Sequence, residues 1–275
     1  IYRTRRTNKD TYTVNGVKGL AGVASGTFNN IVLSNGDNGI NSDLYAYLEA
    51  IWTFNNPEAI NVNIIATPGI DMLNNSNLIE STIDMVEQQR ADSLYIATML
   101  DTDASGDAMT PEDAVGSISG LYDSNYTATY WPWIQVNDTE NNVYIYMPAT
   151  RDVVRNIALT DNIAFPWFAP AGIQRGNVDA IKARVKLTQN DRDTLYEGRI
   201  NPIATFATDG IKIFGNKTLQ VADTALNRIN VRRLLLQTRK LVSAVAIRLL
   251  FEQNDDIVRQ QFLSLVNPIL DNIRR

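Results

Sequence analysis

The sequence of 275 residues contains no cysteine and no histidine. Without cysteine the chain has no disulfide scaffold, no thiolate site for zinc or an iron–sulfur cluster, and no thiol nucleophile. Without histidine it lacks Ser-His-Asp catalysis, imidazole metal ligands and the usual acid/base group for neutral pH. Any catalysis would therefore depend on carboxylate, lysine, tyrosine or backbone groups. The chain is 44% hydrophobic and 20% charged, which suffices for a sizeable core and excludes wholesale disorder.

Long apolar runs are also missing. The longest, residues 241–251, is interrupted by Arg248 and is too short to cross a bilayer. No signal-peptide pattern precedes the first predicted strand, so we expect no membrane insertion. The chain begins at Ile1 and ends in Arg274-Arg275, an ending typical of a tryptic cut. We therefore expect a protease-resistant fragment of a longer protein.

Basic residues are nearly absent from one part of the chain. Residues 35–140, here called the acidic lobe, contain 17 acidic residues and a single basic one, Arg90. Residues 1–34 contain five basic residues and one acidic one, and residues 141–275, the basic lobe, contain 19 basic and 12 acidic residues. This asymmetry disfavours a nucleic-acid binder and is typical of a protein whose copies attract one another. Two separately solvated lobes would give the same pattern.

The hydrophobic pattern predicts an α/β (α+β) fold. Residues 1–34 are rich in glycine and threonine and predict a small β-rich part, which we expect to be the remnant of a peripheral region. In residues 35–275 short apolar strands alternate with amphipathic helices, which predicts a mixed sheet flanked by helices and followed by a helical C-terminal region. The predicted strands are residues 62–66, 93–100, 126–136, 143–147, 181–187 and 211–214. The predicted helices are residues 44–54, 77–89, 152–159, 189–197, 224–253 and 257–266, with a further helix starting at Thr110.

One acidic loop has the spacing of an EF-hand calcium site. Its candidate ligands are Asp101, Asp103, Ser105, Asp107 and Glu112, with a glycine at the sixth position. The flanking segments differ from those of an EF-hand. A strand-like segment precedes the loop, and Glu112 belongs to the first turn of a predicted helix. Acidic side chains also favour a helix N-terminus without any metal. We therefore predict no metal and no cofactor, with this loop as the weak candidate.

Three further segments are candidate sites, and each has a structural explanation as well. Residues 210–218 approach a phosphate-binding loop, but Asn216 is inserted before the lysine and the segment reads as a strand. Asp191 and Asp193 are paired carboxylates of the kind that acid/base catalysis uses, although acids near a helix start usually cap it. A basic stripe of Arg233, Lys240 and Arg248 along the last long helix predicts either a solvated face or a docking face for an acidic partner.

Several segments, in order along the chain, resemble the contractile tail sheath proteins of bacteriophages. The most specific pair is Ile200-Asn201-Pro202-Ile203 followed by a Gly-strand-Gly-x-x-Thr-Leu segment at residues 210–219. Departures at Ala204, Phe206 and Phe214 suggest a divergent member from a large phage. The other matching segments are residues 33–39, 64–69, 147–161, 168–172 and 229–234.

The resemblance implies a structural role and no enzymatic activity. Such subunits form hexameric rings or a helical sheath around a tail tube, above a baseplate, and contraction drives the tube through the host envelope for genome ejection. The implied location is the virion, with assembly in the host cytoplasm. The resemblance also implies that Arg233, Lys240 and Arg248 face the tube. The family's strand-exchanging C-terminal segment is absent from this sequence, so we expect this chain alone to be monomeric.

Three alternatives remain open. The first is the sheath of a tail-like secretion or injection system. The second is a carboxylate-dependent hydrolase, which needs a cleft with convergent acids. The third is a calcium-binding module built on residues 101–112, for which calcium would raise the melting temperature.

Overall fold

A computed structural model describes residues 13–14, 17–18, 42–103 and 107–274 of the chain. The strands are β1 (Thr13–Val14), β2 (Val17–Lys18), β3 (Ile64–Asp71), β4 (Leu94–Thr98), β5 (Thr127–Trp131), β6 (Ile134–Asp138), β7 (Val143–Met147), β8 (Lys182–Ala183), β9 (Asn201–Phe206) and β10 (Gly210–Ile213). The helices are α1 (Ser42–Phe54), α2 (Ser76–Asp84), α3 (Pro111–Ile118), α4 (Thr150–Ile163), α5 (Gly172–Arg175), α6 (Gln189–Glu197), α7 (Ile229–Ala246) and α8 (Asp256–Arg274).

A five-stranded mixed sheet forms the centre, with the strand order β10-β9-β5-β4-β3. The strands β3, β4, β5 and β9 are parallel, and β10 pairs with β9 in antiparallel fashion. The predicted α/β (α+β) class, with a mixed sheet flanked by helices and a helical C-terminal region, is confirmed. The sequence did not predict β9, because Pro202 in its second position is unusual in a strand.

Helices cover both faces of this sheet, and side-chain alternation along β4 shows why. All five residues of β4 are buried. Tyr95 and Ala97 pack in one hydrophobic cluster with residues of α2, α3 and α6, whereas Leu94 and Ile96 pack in a second cluster with residues of α4 and α7. Successive strand residues point to opposite faces, so a strand covered on both sides is apolar throughout.

A second, three-stranded antiparallel sheet has the order β7-β6-β8. The single strand predicted for residues 126–136 is therefore wrong. Pro132 separates β5, in the central sheet, from β6, in the second sheet, because proline has no N–H to donate to a ladder. The strand predicted for residues 181–187 is reduced to two residues.

The predicted long helix over residues 224–253 is also shorter in the structure. A 3-10 turn at Ala225–Asn227 precedes α7, and another at Ile247–Leu249 follows it. The helix α8 extends past the predicted stop at Pro268 to Arg274. Similarly, α2 continues as a π-helical turn at Met85–Arg90.

Little of the predicted β-rich N-terminal part falls within the described residues. Thr13 and Val14 pair with Lys18 and Val17 in an antiparallel bridge. The remainder of residues 1–34 lies outside the described ranges, so its role and the boundary at residue 34 stay predictions.

Candidate interaction surfaces

The three cations predicted to face a partner do not share one exposed surface. Arg233 is buried, and its Nη2 lies 2.6 and 2.5 Å from the two carboxylate oxygens of Asp161. Lys240 is half-buried, and its Nζ donates to the backbone oxygen of Val62 at 2.8 Å and to Asn63 Oδ1 at 2.6 Å. Only Arg248 is exposed. The prediction of a continuous basic stripe is therefore corrected, because the first two side chains attach α7 to its own subunit.

The attachment of α7 extends into a buried network of charges. Arg90 is fully buried and donates to the backbone oxygens of Phe54 and Ile60 and to Asp92 Oδ1 at 3.0 Å. Asp92 lies 3.4 Å from Lys240 Nζ. The single basic residue of the acidic lobe is thus structural, and part of the attraction between the two lobes acts within one subunit.

The candidate calcium loop, residues 101–112, is held by hydrogen bonds between its own residues. Thr102 and Ala108 form an antiparallel bridge, and the backbone N–H of Asp107 donates to Asp103 Oδ1 at 2.9 Å. Glu112 stands in the first turn of α3, as predicted, and Ser105 lies outside the described residues. Across residues 42–103 and 107–274, no group of three or more His, Cys, Asp or Glu side chains is arranged to hold a metal ion.

Of the predicted ligands within the described ranges, only Asp101 has a buried side chain, and it faces a cation. Arg184 Nε lies 3.1 Å from Asp101 Oδ2 without the alignment of a hydrogen bond. The guanidinium of Arg184 also stacks on the Tyr146 ring, 4.4 Å from its centroid. Burial raises the pKa of Asp101 to about 6, against the opposing effect of Arg184. This pair connects the end of β4 to the second sheet and is a structural contact.

A groove of about 500 Å³, which sequence reasoning missed, lies beside β9 and the end of β10. On one side Arg192 stacks on Phe206 and Phe214, with its Cζ 5.3 and 5.7 Å from the two ring centroids. Tyr196 also lines the groove, and Lys217 and Arg228 adjoin the groove by lying over its ring. We call this surface the aromatic groove. Arg192 and Tyr196 are four residues apart on α6, a spacing that could have indicated a shared face.

The cations at the aromatic groove form no ion pair in the part of the chain that the structure describes. This holds for Arg192, Lys217 and Arg228. Partial burial and the nearby charge of Arg228 lower the pKa of Lys217, against the opposing effect of Asp223 and Glu197. Asp193 lines the groove as well, but it forms no ion pair with these cations. The groove therefore has aromatic walls and carries cations that no carboxylate contacts directly.

A second exposed surface is apolar. The turn between α7 and α8 exposes 67% of Ile247, 69% of Leu250 and 97% of Phe251, and Ile257 at the start of α8 is 76% exposed. Arg248 lies among them. Large apolar side chains grouped in solvent are typical of a surface that another protein covers. We call this the C-terminal apolar surface. No helix in the described ranges is both long enough and apolar enough to span a membrane.

The chain is similar in sequence to tail sheath proteins of phages, although no family model matches it. It is 34% identical over 171 residues to the tail sheath protein of Vibrio phage KVP40, and 32% identical over 149 residues to that of Enterobacteria phage T4. These matches cover 62% and 54% of this chain. They cover only 24% and 22% of the relatives, so the matched part spans about a quarter of their length.

Solved structures share the fold. The contracted helical sheath of the anti-feeding prophage has a TM-score of 0.61 at 20% identity, covering 88% of this chain and 60% of that one. The contracted sheath complex of an extracellular contractile injection system, PVC, has a TM-score of 0.65 at 18% identity, covering 79% and 56%. At such identities the likeness concerns the fold.

Proposed function

We propose that this phage tail sheath-like chain is part of a structural subunit that polymerises around a tail tube and contracts. The observation that carries the proposal is the sequence match to tail sheath proteins of two phages, on a fold shared with contracted sheaths. Contraction would widen and shorten the polymer and drive the tube through the host envelope. The partners are then other copies of the chain, the tube and a baseplate, and the location is the virion, after assembly in the host cytoplasm.

Assembly, and not catalysis, supplies the work in this proposal. The sequence has no histidine or cysteine. Of the buried acids in the described ranges, Asp101 faces Arg184, Asp152 pairs with Arg151, and Asp71 accepts from backbone N–H groups. A polymer that extends needs head-to-tail contacts, in which one surface of a copy meets a different surface of the next. It also needs two packings of the same subunits that differ in free energy. The unequal charge of the two lobes supports contacts of this kind.

The C-terminal apolar surface supports a role in contact with another chain. Phe251 is almost fully exposed and Ile257 largely so, and burying an apolar side chain of this size contributes about 2 kcal/mol. We infer that a neighbouring copy or the tube covers this surface. Arg248 is then the remaining candidate for a tube contact, because Arg233 and Lys240 have partners in their own subunit.

A difference in sequence identity favours the phage role over that of an injection-system sheath. Identity reaches 34% with a phage protein, whereas the injection-system sheaths share the fold at 18–20%. Immunogold labelling of phage particles tests the assignment. Antibodies raised against this chain should decorate the tail along its length, in both extended and contracted particles. Labelling confined to the capsid, or absent from tails, would refute it.

The calcium-module alternative has its own test. If residues 101–112 formed a calcium site, millimolar Ca²⁺ would raise the melting temperature, because a ligand that binds the native state stabilises it. We expect melting curves with Ca²⁺, with Mg²⁺ and with EDTA to coincide. A rise of several degrees with Ca²⁺ alone would revive that alternative.

A further inference from the structure

The aromatic groove carries cations that form no ion pair within the described ranges. Arg192 lies over the adjoining rings of Phe206 and Phe214, while Lys217 and Arg228 lie over the Tyr196 ring. Stacking fixes these side chains in place and leaves their charges available to an anionic partner. Fixed cations lose little conformational entropy when a carboxylate binds, which suits them to an interface.

An exposed acidic stripe lies on α2. Glu80 and Asp84 are four residues apart, so they occupy the same face of the helix, and both are exposed. Neither forms an ion pair in the described ranges. Two like charges at this spacing destabilise a helix slightly, and an outside cation would relieve that repulsion. We call this pair the acidic stripe.

The groove and the stripe belong to opposite edges of the central sheet. The helix α2 packs on β3 and β4, whereas α6 and the groove pack against β9. The strand order places β10 and β3 at the two ends. With neighbouring strands about 4.8 Å apart, these two edge strands are separated by about 19 Å. The helices α2 and α6 cover the same face of the sheet near these different edges. The stripe and the groove are thus apart within one copy, which suits a contact with a second copy.

Resting on the proposed self-assembly, we propose that the acidic stripe of one copy docks on the aromatic groove of the next. The carboxylates of Glu80 and Asp84 then meet Arg192 and Lys217 of the neighbour. Because the two surfaces differ, a pair of copies keeps one free groove on the first copy and one free stripe on the second, and the contact propagates.

Cysteine trapping tests this contact, since the chain has no thiol of its own. Gln88→Cys stands one turn after Asp84, and Gln189→Cys lies on the groove; both positions are exposed and neutral. Disulfide formation captures transient contacts of a chain that is monomeric at equilibrium. Under mild oxidation a chain that carries both changes should therefore give a ladder of dimers, trimers and higher species. The yield should fall about tenfold in 0.5 M salt, because exposed charges are then screened.

Charge exchange distinguishes a specific contact from random collision. Reversing the stripe (Glu80→Lys with Asp84→Lys) should reduce the ladder about tenfold, and so should reversing the groove (Arg192→Glu with Lys217→Glu). Carrying both reversals in one chain should restore it. The matched control pairs Gln189→Cys with Asn137→Cys, an exposed neutral position on β6 outside both surfaces, and it should give only background cross-linking.

Three outcomes would overturn the contact. The first is a yield no higher than that of the control pair, and the second is a ladder indifferent to charge reversal. The third is groove-dependent binding of a fluorescent single-stranded oligonucleotide in the absence of a ladder, which would make the groove a site for phosphates. In each case tail labelling decides the sheath role separately, so failure of the contact and failure of the proposed function can be told apart.

Discussion

Replacing Arg233 with methionine distinguishes a structural residue from one that serves a partner. The substitution removes a buried guanidinium and leaves the carboxylate of Asp161 without its partner. Breaking a buried ion pair in this way costs 3–5 kcal/mol. The side chain of Arg233 is 6% exposed but that of Asp161 is 27% exposed, so we expect the lower end, about 3 kcal/mol. Surface substitutions, by comparison, usually change stability by less than about 0.5 kcal/mol.

Urea unfolding followed by circular dichroism measures this loss. With an m-value of about 3 kcal/mol/M, the midpoint should fall by about 1 M. Arg248→Met, an exposed position on the same helical segment, is the matched control and should leave the midpoint within experimental error. Adding Asp161→Asn to the Arg233 variant should recover much of the loss, because no unpaired charge then remains buried. Equal midpoints for Arg233→Met and the control would refute the structural assignment of Arg233.

Two further predictions concern stability. The pKa of Asp101 is raised to about 6 in the folded chain from 3.8, so the native state binds its proton more tightly than the unfolded state. Stability should therefore fall, by up to about 3 kcal/mol, as the pH rises from about 4 to 6. Asp101→Asn should remove this dependence of the unfolding free energy on pH, measured by urea titration at several pH values. An unchanged pH dependence would contradict the raised pKa of Asp101. Gly215→Ala should destabilise by about 1–3 kcal/mol, because the added Cβ would lie 2.6 Å from Asn201 Oδ1 and 2.8 Å from its Cα. Its control is Gly116→Ala in α3, where a Cβ meets nothing within 4 Å and should stabilise the helix by up to about 1 kcal/mol. If thermal melting ranks the two alanine variants the other way round, the packing at Gly215 is misjudged.

Local chemistry made the helix starts and buried strands predictable. Thr110, Pro111 and Asp113 form the capping box and first turn that their sequence indicates. The largely apolar segment at residues 93–100 likewise corresponds to β4, which is buried on both faces. Patterns of this kind depend on residues that are close together in the sequence, so they can be predicted from the sequence alone.

Features that depend on distant partners were not predictable in the same way. The cations of α7 resemble a solvated face until the strand ends at Val62 and Asn63 are placed beside Lys240. The aromatic groove joins α6 to residues after β10, and no local pattern connects those segments. The break between the two strands at Pro132 was missed because β5 and β6 have similar compositions but belong to two different sheets.

Polymerisation is the property that tests the central claim most directly. The product of the full reading frame that encodes this chain should be purified and followed by light scattering and negative-stain electron microscopy over a range of concentration and salt. The account predicts hollow tubes or stacked rings whose formation weakens as salt is raised. A product that stays monomeric at every concentration and ionic strength, with and without tail tubes, would contradict it.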